Sequence, residues 1–343
     1  MVLPHDLALS VEAIAQGTNR PELRRAAAEL SRQYKAADRS AGSMQIKLGS
    51  AVDRLAYVAV RMPATYAAVR AALLEHSASD PDFAPTSLLD LGAGPGTASF
   101  AAESIWPTIS RARLVDRNKG LSDLGSKIAN HLGSRLESAE RVVDSFGSAS
   151  MAWGQRADLV LLTYVLGEMG QESGRQLVRR AWDHSLAYLV IVEPGSTPGY
   201  RRVLAARQQL IDEGAHIVAP CPHNRSCPLA TSTEWCHFAQ RLDRSRLHRQ
   251  AKGGSVPFED EPFSYVVATR KEDIAPSASR VIRRPYVTKA EAMVSLCATA
   301  GLKTVRIKRT KQPAYAAARR LSWGDGLSAE AEAALSLEDT RSP

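Results

Sequence analysis

The chain has 343 residues, 44% hydrophobic and 23% charged, and its 44 Lys and Arg against 36 Asp and Glu leave a net charge of +8. This balance excludes a mostly disordered or collagen-like chain and suits one large domain with additions. The longest apolar run, around 159–166, is too short to span a membrane, and the first residues hold Asp6 and Glu12 without a basic cluster, so a cytoplasmic location is expected. In chain order, residues 7–40 read as helical, starting from the stripe Leu7, Val11 and Ile14. A second helical stretch covers 47–76, where Pro63 is expected to kink or split it. Residues 1–80 thus read as a helical cap, and the turn-rich segment 77–87 reads as a boundary.

Strands are then expected at 87–91, 112–116, 141–144, 157–164 and 187–193, alternating with helical patterns at 97–106, 119–132 and 170–185. Alternation of this kind predicts an α/β fold with a doubly wound, mostly parallel sheet over a core spanning 81–215. A helix after Tyr200 leads to an irregular, cysteine-bearing insertion at 216–261. Beyond it, strand 263–268, a helix near 288–299 and strand 304–310 read as a continuation of the sheet within 262–325. The small, acidic segment 326–343 reads as a mobile tail.

The segment LLDLGAGPGTASF sets Gly92, Gly94 and Gly96 between an apolar strand and a helix. Glycines are needed where the backbone turns tightly and approaches a ligand. The spacing is G-x-G-x-G, with Thr97 where a dinucleotide fingerprint needs its third glycine, and no Gly-Lys-Ser/Thr follows. Asp116 ends the next strand, where a carboxylate can accept both hydroxyls of a ribose, and Asp90 can orient the loop or a bound amino group. The set resembles the S-adenosylmethionine site of class I methyltransferases. At the end of the fourth strand Thr163, Tyr164 and Glu168 are the available polar groups, and no catalytic base stands out among them.

Three of the four cysteines, Cys221, Cys227 and Cys236, fall within sixteen residues, and Cys297 lies sixty residues further on. Four thiolates suit tetrahedral zinc or an iron–sulfur cluster, with His223 and His237 as substitute ligands. The spacing matches neither a zinc ribbon nor a ferredoxin. Taken alone, Cys297 reads as a buried core cysteine on a helix with Ala290, Met293 and Val294.

The stretches AYVAVRMPATYAAV, LLDLGAGPGT, DLVLLTYVLGEM, LVIVEPGSTPGY, PCPHNRSCPL with WCHF, and RTKQPAYAAARRLSWGD together resemble one family. It is the small-ribosomal-subunit methyltransferase-like family, comprising the mitochondrial small-subunit protein methyltransferase-like seventeen and its bacterial relatives. The resemblance implies a class I methyltransferase fold with a helical N-terminal cap and a metal-binding insertion. It further implies a [4Fe–4S] cluster on Cys221, Cys227, Cys236 and Cys297, and association with the small ribosomal subunit and its rRNA.

Charge distribution agrees with an RNA partner. Residues 196–320 hold 22 Lys and Arg against 10 Asp and Glu, a net +12, whereas the rest of the chain is net −4. Strand alternation in LKTVRIKRTK puts basic groups on both faces, with Lys303 and Arg309 on one and Arg306 and Lys308 on the other. Lys311, Arg319 and Arg320 extend this phosphate-binding surface, and Trp323 is either a stacking group or a core plug. Two functions compete on this reading: an S-adenosylmethionine-dependent rRNA methyltransferase, and a non-catalytic assembly factor whose cluster braces the RNA surface or senses iron.

Overall fold

A computed structural model describes residues 3–39, 46–145, 153–253 and 256–335. The cap consists of α1 (His5–Ile14), α2 (Arg20–Arg39) and α3 (Ala51–Ser79). Ser50 starts α3 with a reciprocal capping box to Asp53, which satisfies two backbone donors. Of the kink or split expected at Pro63, the split does not occur: the helix is continuous through that residue. Its long apolar face, including Val58, Met62, Tyr66, Val69 and Leu73, is buried in the main core, so packing outweighs one missing backbone hydrogen bond.

The core then alternates: β1 (Ser87–Leu91), α4 (Thr97–Glu103), β2 (Arg111–Asp116), α5 (Lys119–Leu132), β3 (Glu140–Val143), β4 (Ala157–Thr163), α6 (Gln171–His184), β5 (Ser185–Pro194) and α7 (Thr197–Asp212). Strands β6 (His216–Ala219) and β7 (Phe238–Asp243), helix α8 (Arg246–Lys252) and strand β8 (Phe258–Thr269) follow. The stretch 216–261 is therefore more regular than its sequence suggests. The sheet order is β3-β2-β1-β4-β5-β8-β6, with β7 also on β8. Strands β1 to β5 are mutually parallel and β8 runs antiparallel between β5 and β6. This order, reversing between β1 and β4 and closed by one antiparallel strand, is that of class I methyltransferases, and it places the carboxyl ends of β1 and β4 side by side at the switch point.

The C-terminal part departs from expectation. Strands β9 (Ser279–Val281), β10 (Tyr286–Val287), β11 (Glu291–Ala298), β12 (Gly301–Lys308) and β13 (Gly326–Leu327) form a second, antiparallel sheet, which does not continue the first. The segment expected to be helical near 288–299 is β11. Ala292, Val294, Leu296 and Ala298 point inward while Glu291, Met293, Ser295 and Cys297 alternate on the other face. A short run of this kind satisfies helical and strand spacing almost equally well, and pairing with β12 over eight residues settles it as a strand. Helices α9 (Gln312–Ala318) and α10 (Ala329–Leu335) pack on this sheet through Ala314, Tyr315 and Leu335. The expected tail is thus ordered as far as Leu335, and 336–343 lie outside the described residues. Among the described residues no helix is long and apolar enough to cross a membrane.

Gly125 shows how tightly α5 meets the loop after β1. A Cβ there would lie 2.1 Å from the Pro95 carbonyl oxygen. Gly125→Ala is expected to cost about 1–3 kcal/mol, read as a lower denaturation midpoint; an unchanged midpoint would show that α5 can retreat freely.

Candidate cofactor cavity and cysteine pocket

The loop after β1 is built from left-handed turns, with φ of 76° at Gly92, 55° at Gly94 and 90° at Gly96. At Gly92 the space is also closed: a Cβ would meet Val165 Cγ2 at 2.1 Å. Gly92 and Ala93 N–H donate to the Val115 carbonyl at 2.8 and 3.1 Å, tying the loop to β2. The Asp116 carboxylate accepts Gly94 N–H at 2.8 Å and Asn118 N–H at 2.7 Å. Asn118 in turn caps α5 through Leu121 N–H.

A cavity of about 470 Å³ opens here, lined on the sheet side by Gly92, Gly94, Asp116 and Thr163. Asp90 and Gly96 do not line it. Asp90 is fully buried and accepts the Ser99 hydroxyl at 2.6 Å, so it anchors α4 behind the loop. Burial raises its carboxyl to about 6.

The opposite wall holds residues that the sequence motifs did not single out. Tyr34 of α2 and Tyr57 of α3 face the cavity with Tyr164. Tyr164 has φ of 58°, an uncommon backbone state for a bulky residue. Its hydroxyl donates to Glu261 at 3.4 Å, and Arg61 clamps the same carboxylate at 2.9 and 3.3 Å while lying over the Tyr34 ring. Burial raises all three phenols, so each stays a protonated donor at neutral pH. Glu168 also lines the cavity, paired with Arg117 at 2.5 Å. Its pKa is about 7: burial pushes it up, and Arg117 opposes the shift. A carboxyl poised there can give or take a proton near neutrality.

The sequence-distant cysteines do come together. Cys221, Cys227, Cys236 and Cys297 line one pocket with His223. His237 lies apart from that lining, its ring stacked on Trp235 and edge-on to Trp323, so Trp323 is an inward-facing support, half-buried, not an exposed stacking group. Two buried arginines attend the sulfurs. Arg207 Nε donates to Cys221 Sγ at 3.3 Å, and Arg280 pairs with Glu75 and donates to the Pro220 carbonyl at 3.0 Å. Arg207 Nη1 and Arg280 Nη2 are buried without a partner. Among the described residues, no group of three or more His, Cys, Asp or Glu side chains is gathered closely enough to hold one metal ion.

On the second sheet, β12 turns Arg306 and Lys308 outward, and Arg309, Arg319 and Arg320 are exposed. Lys303 lies on the inner side, paired with Glu332 of α10, so the strand offers its basic groups from one face and not from two. Lys311 is half-buried at the start of α9.

Strand order and glycine loop define a class I methyltransferase-like protein. Within that class the chain belongs to the family described as mitochondrial small ribosomal subunit Rsm22, whose pattern matches residues 51–328. It is 27% identical over 289 residues to the human mitochondrial ribosome assembly protein METTL17, covering 79% of this chain and 61% of that protein. It is 25% identical over 329 residues to the Rsm22-cox11 tandem protein 2 of Schizosaccharomyces pombe, with 79% and 42% covered. The chain thus spans less than two thirds of either relative. Among solved structures it is similar to magnesium protoporphyrin IX methyltransferase of Synechocystis, at 12% identity and a TM-score of 0.41, covering 70% of this chain and 94% of that one.

Glu193, at the end of β5, is fully buried and accepts Leu166 N–H at 2.9 Å, which fixes the 3-10 turn bearing Glu168. Burial raises its pKa to about 7, against the pull of Arg202 and the turn's N–H groups. A carboxyl raised in the folded state stabilises below its ordinary value, and that stabilisation is lost as pH rises through about 7. Glu193→Gln keeps an acceptor but removes the charge. From pH 5 to 8 its stability should therefore gain on the unaltered chain by on the order of 1–3 kcal/mol, read by denaturant titration. Parallel pH curves for the two proteins would remove this role.

Proposed function

We propose that this chain is an assembly factor for the small ribosomal subunit that binds S-adenosylmethionine in the glycine-loop cavity, carries a [4Fe–4S] cluster and contacts rRNA. The observation that carries the reading is the position of the cysteine pocket. Cys221 and Cys227 follow β6 and Cys236 precedes β7, so they belong to the methyltransferase-like sheet, whereas Cys297 belongs to β11 of the basic sheet. A group held by all four would fasten the RNA-facing sheet to the body. The four cysteines line one pocket, which supplies the number of thiolates that a cubane cluster takes. Two unpartnered guanidinium nitrogens at its wall suit an anionic group. When bound, such a cluster supplies electron-transfer capacity or, as here proposed, a structural cross-link sensitive to iron. Human METTL17, named as a ribosome assembly protein, supports the assembly role.

For S-adenosylmethionine, the Asp116 carboxylate keeps lone pairs for ribose hydroxyls after taking Gly94 and Asn118 N–H. A second reading, methyl transfer to rRNA, is favoured by Glu168 poised near neutrality in the same cavity. Against it, the other carboxylate beside the tyrosines, Glu261, is neutralised by Arg61.

Anaerobic purification should yield about four iron and four sulfide per chain, and Cys227→Ser should lose both together with small-subunit binding. One zinc without sulfide would overturn the cluster. Asp116→Ala should weaken S-adenosylmethionine about ten- to hundredfold by calorimetry, as expected on losing hydrogen bonds to a charged acceptor. Unaltered affinity would remove the ribose role. Methyl incorporation into rRNA from labelled donor separates the two readings.

A further inference from the structure

A separate groove, lined by arginines, lies on the other side of the turn at 166–168. It runs between α6 and α7, holds about 430 Å³ and adjoins the cofactor cavity, because Met169 and Gly170 line both. Its charged lining is Arg175, Arg201 and Arg202, with no Asp or Glu among the residues that form it. Helix α7 divides its labour by spacing. Arg201, Ala205 and Gln209 face the groove at intervals of four, while Tyr200, Val203 and Arg207 face the cysteine pocket. Among the described residues, none of the three groove arginines forms an ion pair with a carboxylate. Arg202 senses the Glu193 carboxylate without pairing to it. Arg175 and Arg201 are exposed, and among the described residues neither guanidinium group donates a hydrogen bond to the fold itself. Gly170, Gly174, Ala205 and Ala206 keep the floor and rim low.

We infer that this groove is a track for the phosphates of a single-stranded RNA segment, leading its chain to the mouth of the glycine-loop cavity. Planar guanidinium forks match phosphate oxygens bidentately, and three along one groove between helices suit a strand running lengthwise. The inference rests on the RNA-binding reading above and adds a second contact site on the methyltransferase-like body, separate from Arg306 and Lys308 on the other sheet.

The test uses the full chain and a mixed-sequence RNA strand of about 12 nucleotides, within the span of known single-strand sites. Fluorescence anisotropy over a range of salt gives the slope of log affinity against log salt. Arg175→Gln/Arg201→Gln/Arg202→Gln should reduce that slope by about 2, and Arg175→Gln/Arg201→Gln by about 1.4, since each lost single-strand phosphate contact removes about 0.7. S-adenosylmethionine affinity should not change in the double variant, which keeps Arg202 beside Glu193. The double variant, at two exposed positions, carries the test if the triple variant is destabilised. An unaltered slope in the groove variants, with a reduced one in Arg306→Gln/Lys308→Gln, would overturn the groove and leave the RNA reading standing. An unmodified chain that binds no RNA would overturn both.

Discussion

The crowding at the carboxyl ends of β1, β4 and β5 governs the rest of the site. Glu193 is buried at the end of β5 and takes the Leu166 N–H, which pins the 3-10 turn after β4. The pinned turn holds Val165 against the loop after β1, where only a residue without a side chain fits, so Gly92 is fixed by steric necessity as well as by its positive φ. Once the loop is placed, Gly94 N–H reaches Asp116, and the same carboxylate sets the start of α5. The cavity floor is therefore assembled from neighbouring strand ends that each constrain the next, which is the form of preorganisation a small ligand requires.

The cysteine pocket solves a different problem. Residues of both sheets meet there, Phe238 and Tyr265 from the first and Arg280 and Cys297 from the second. Arg280, on β9 of the second sheet, is almost completely buried and reaches back to Glu75 of the cap and to the Pro220 carbonyl. Arg207 performs the corresponding task from the first sheet's side, donating to Cys221 and to the His223 and Arg225 carbonyls. Buried guanidinium groups are costly unless their donors are satisfied. These guanidinium groups add directional hydrogen bonds to an otherwise largely apolar join.

The sequence was most legible where one local rule sufficed. The first five strands, the helix over Lys119–Leu132 and the glycine loop follow from period, caps and glycine spacing. Legibility failed at β11, where eight residues fit two periods and only the pairing with β12 decides. It also failed for Arg61 and Glu261, two hundred residues apart, whose ion pair leaves no local trace. Arg207 lies between these cases. Tyr200, Val203, Arg207 and Leu210 follow the 3-4-3 spacing of a buried helical stripe, so an arginine on that stripe already signalled a charged group facing inward toward something polar. The four cysteines were readable as a set only through family resemblance, because Cys297 comes from another sheet.

Helix α3 has a mechanical consequence. Near one end, Tyr57 lines the glycine-loop cavity and Arg61 lies over the ring of Tyr34, which lines it too; eighteen residues beyond Tyr57, Glu75 holds Arg280 at the cysteine pocket. At 1.5 Å per residue the two posts are about 27 Å apart on one rod. Pro63, lacking an N–H, is the rung that rod is missing. One continuous helix therefore sets the distance between the two chambers, and Pro63 is held straight in it by the packing of its buried face. The two chambers of the protein thus share a beam.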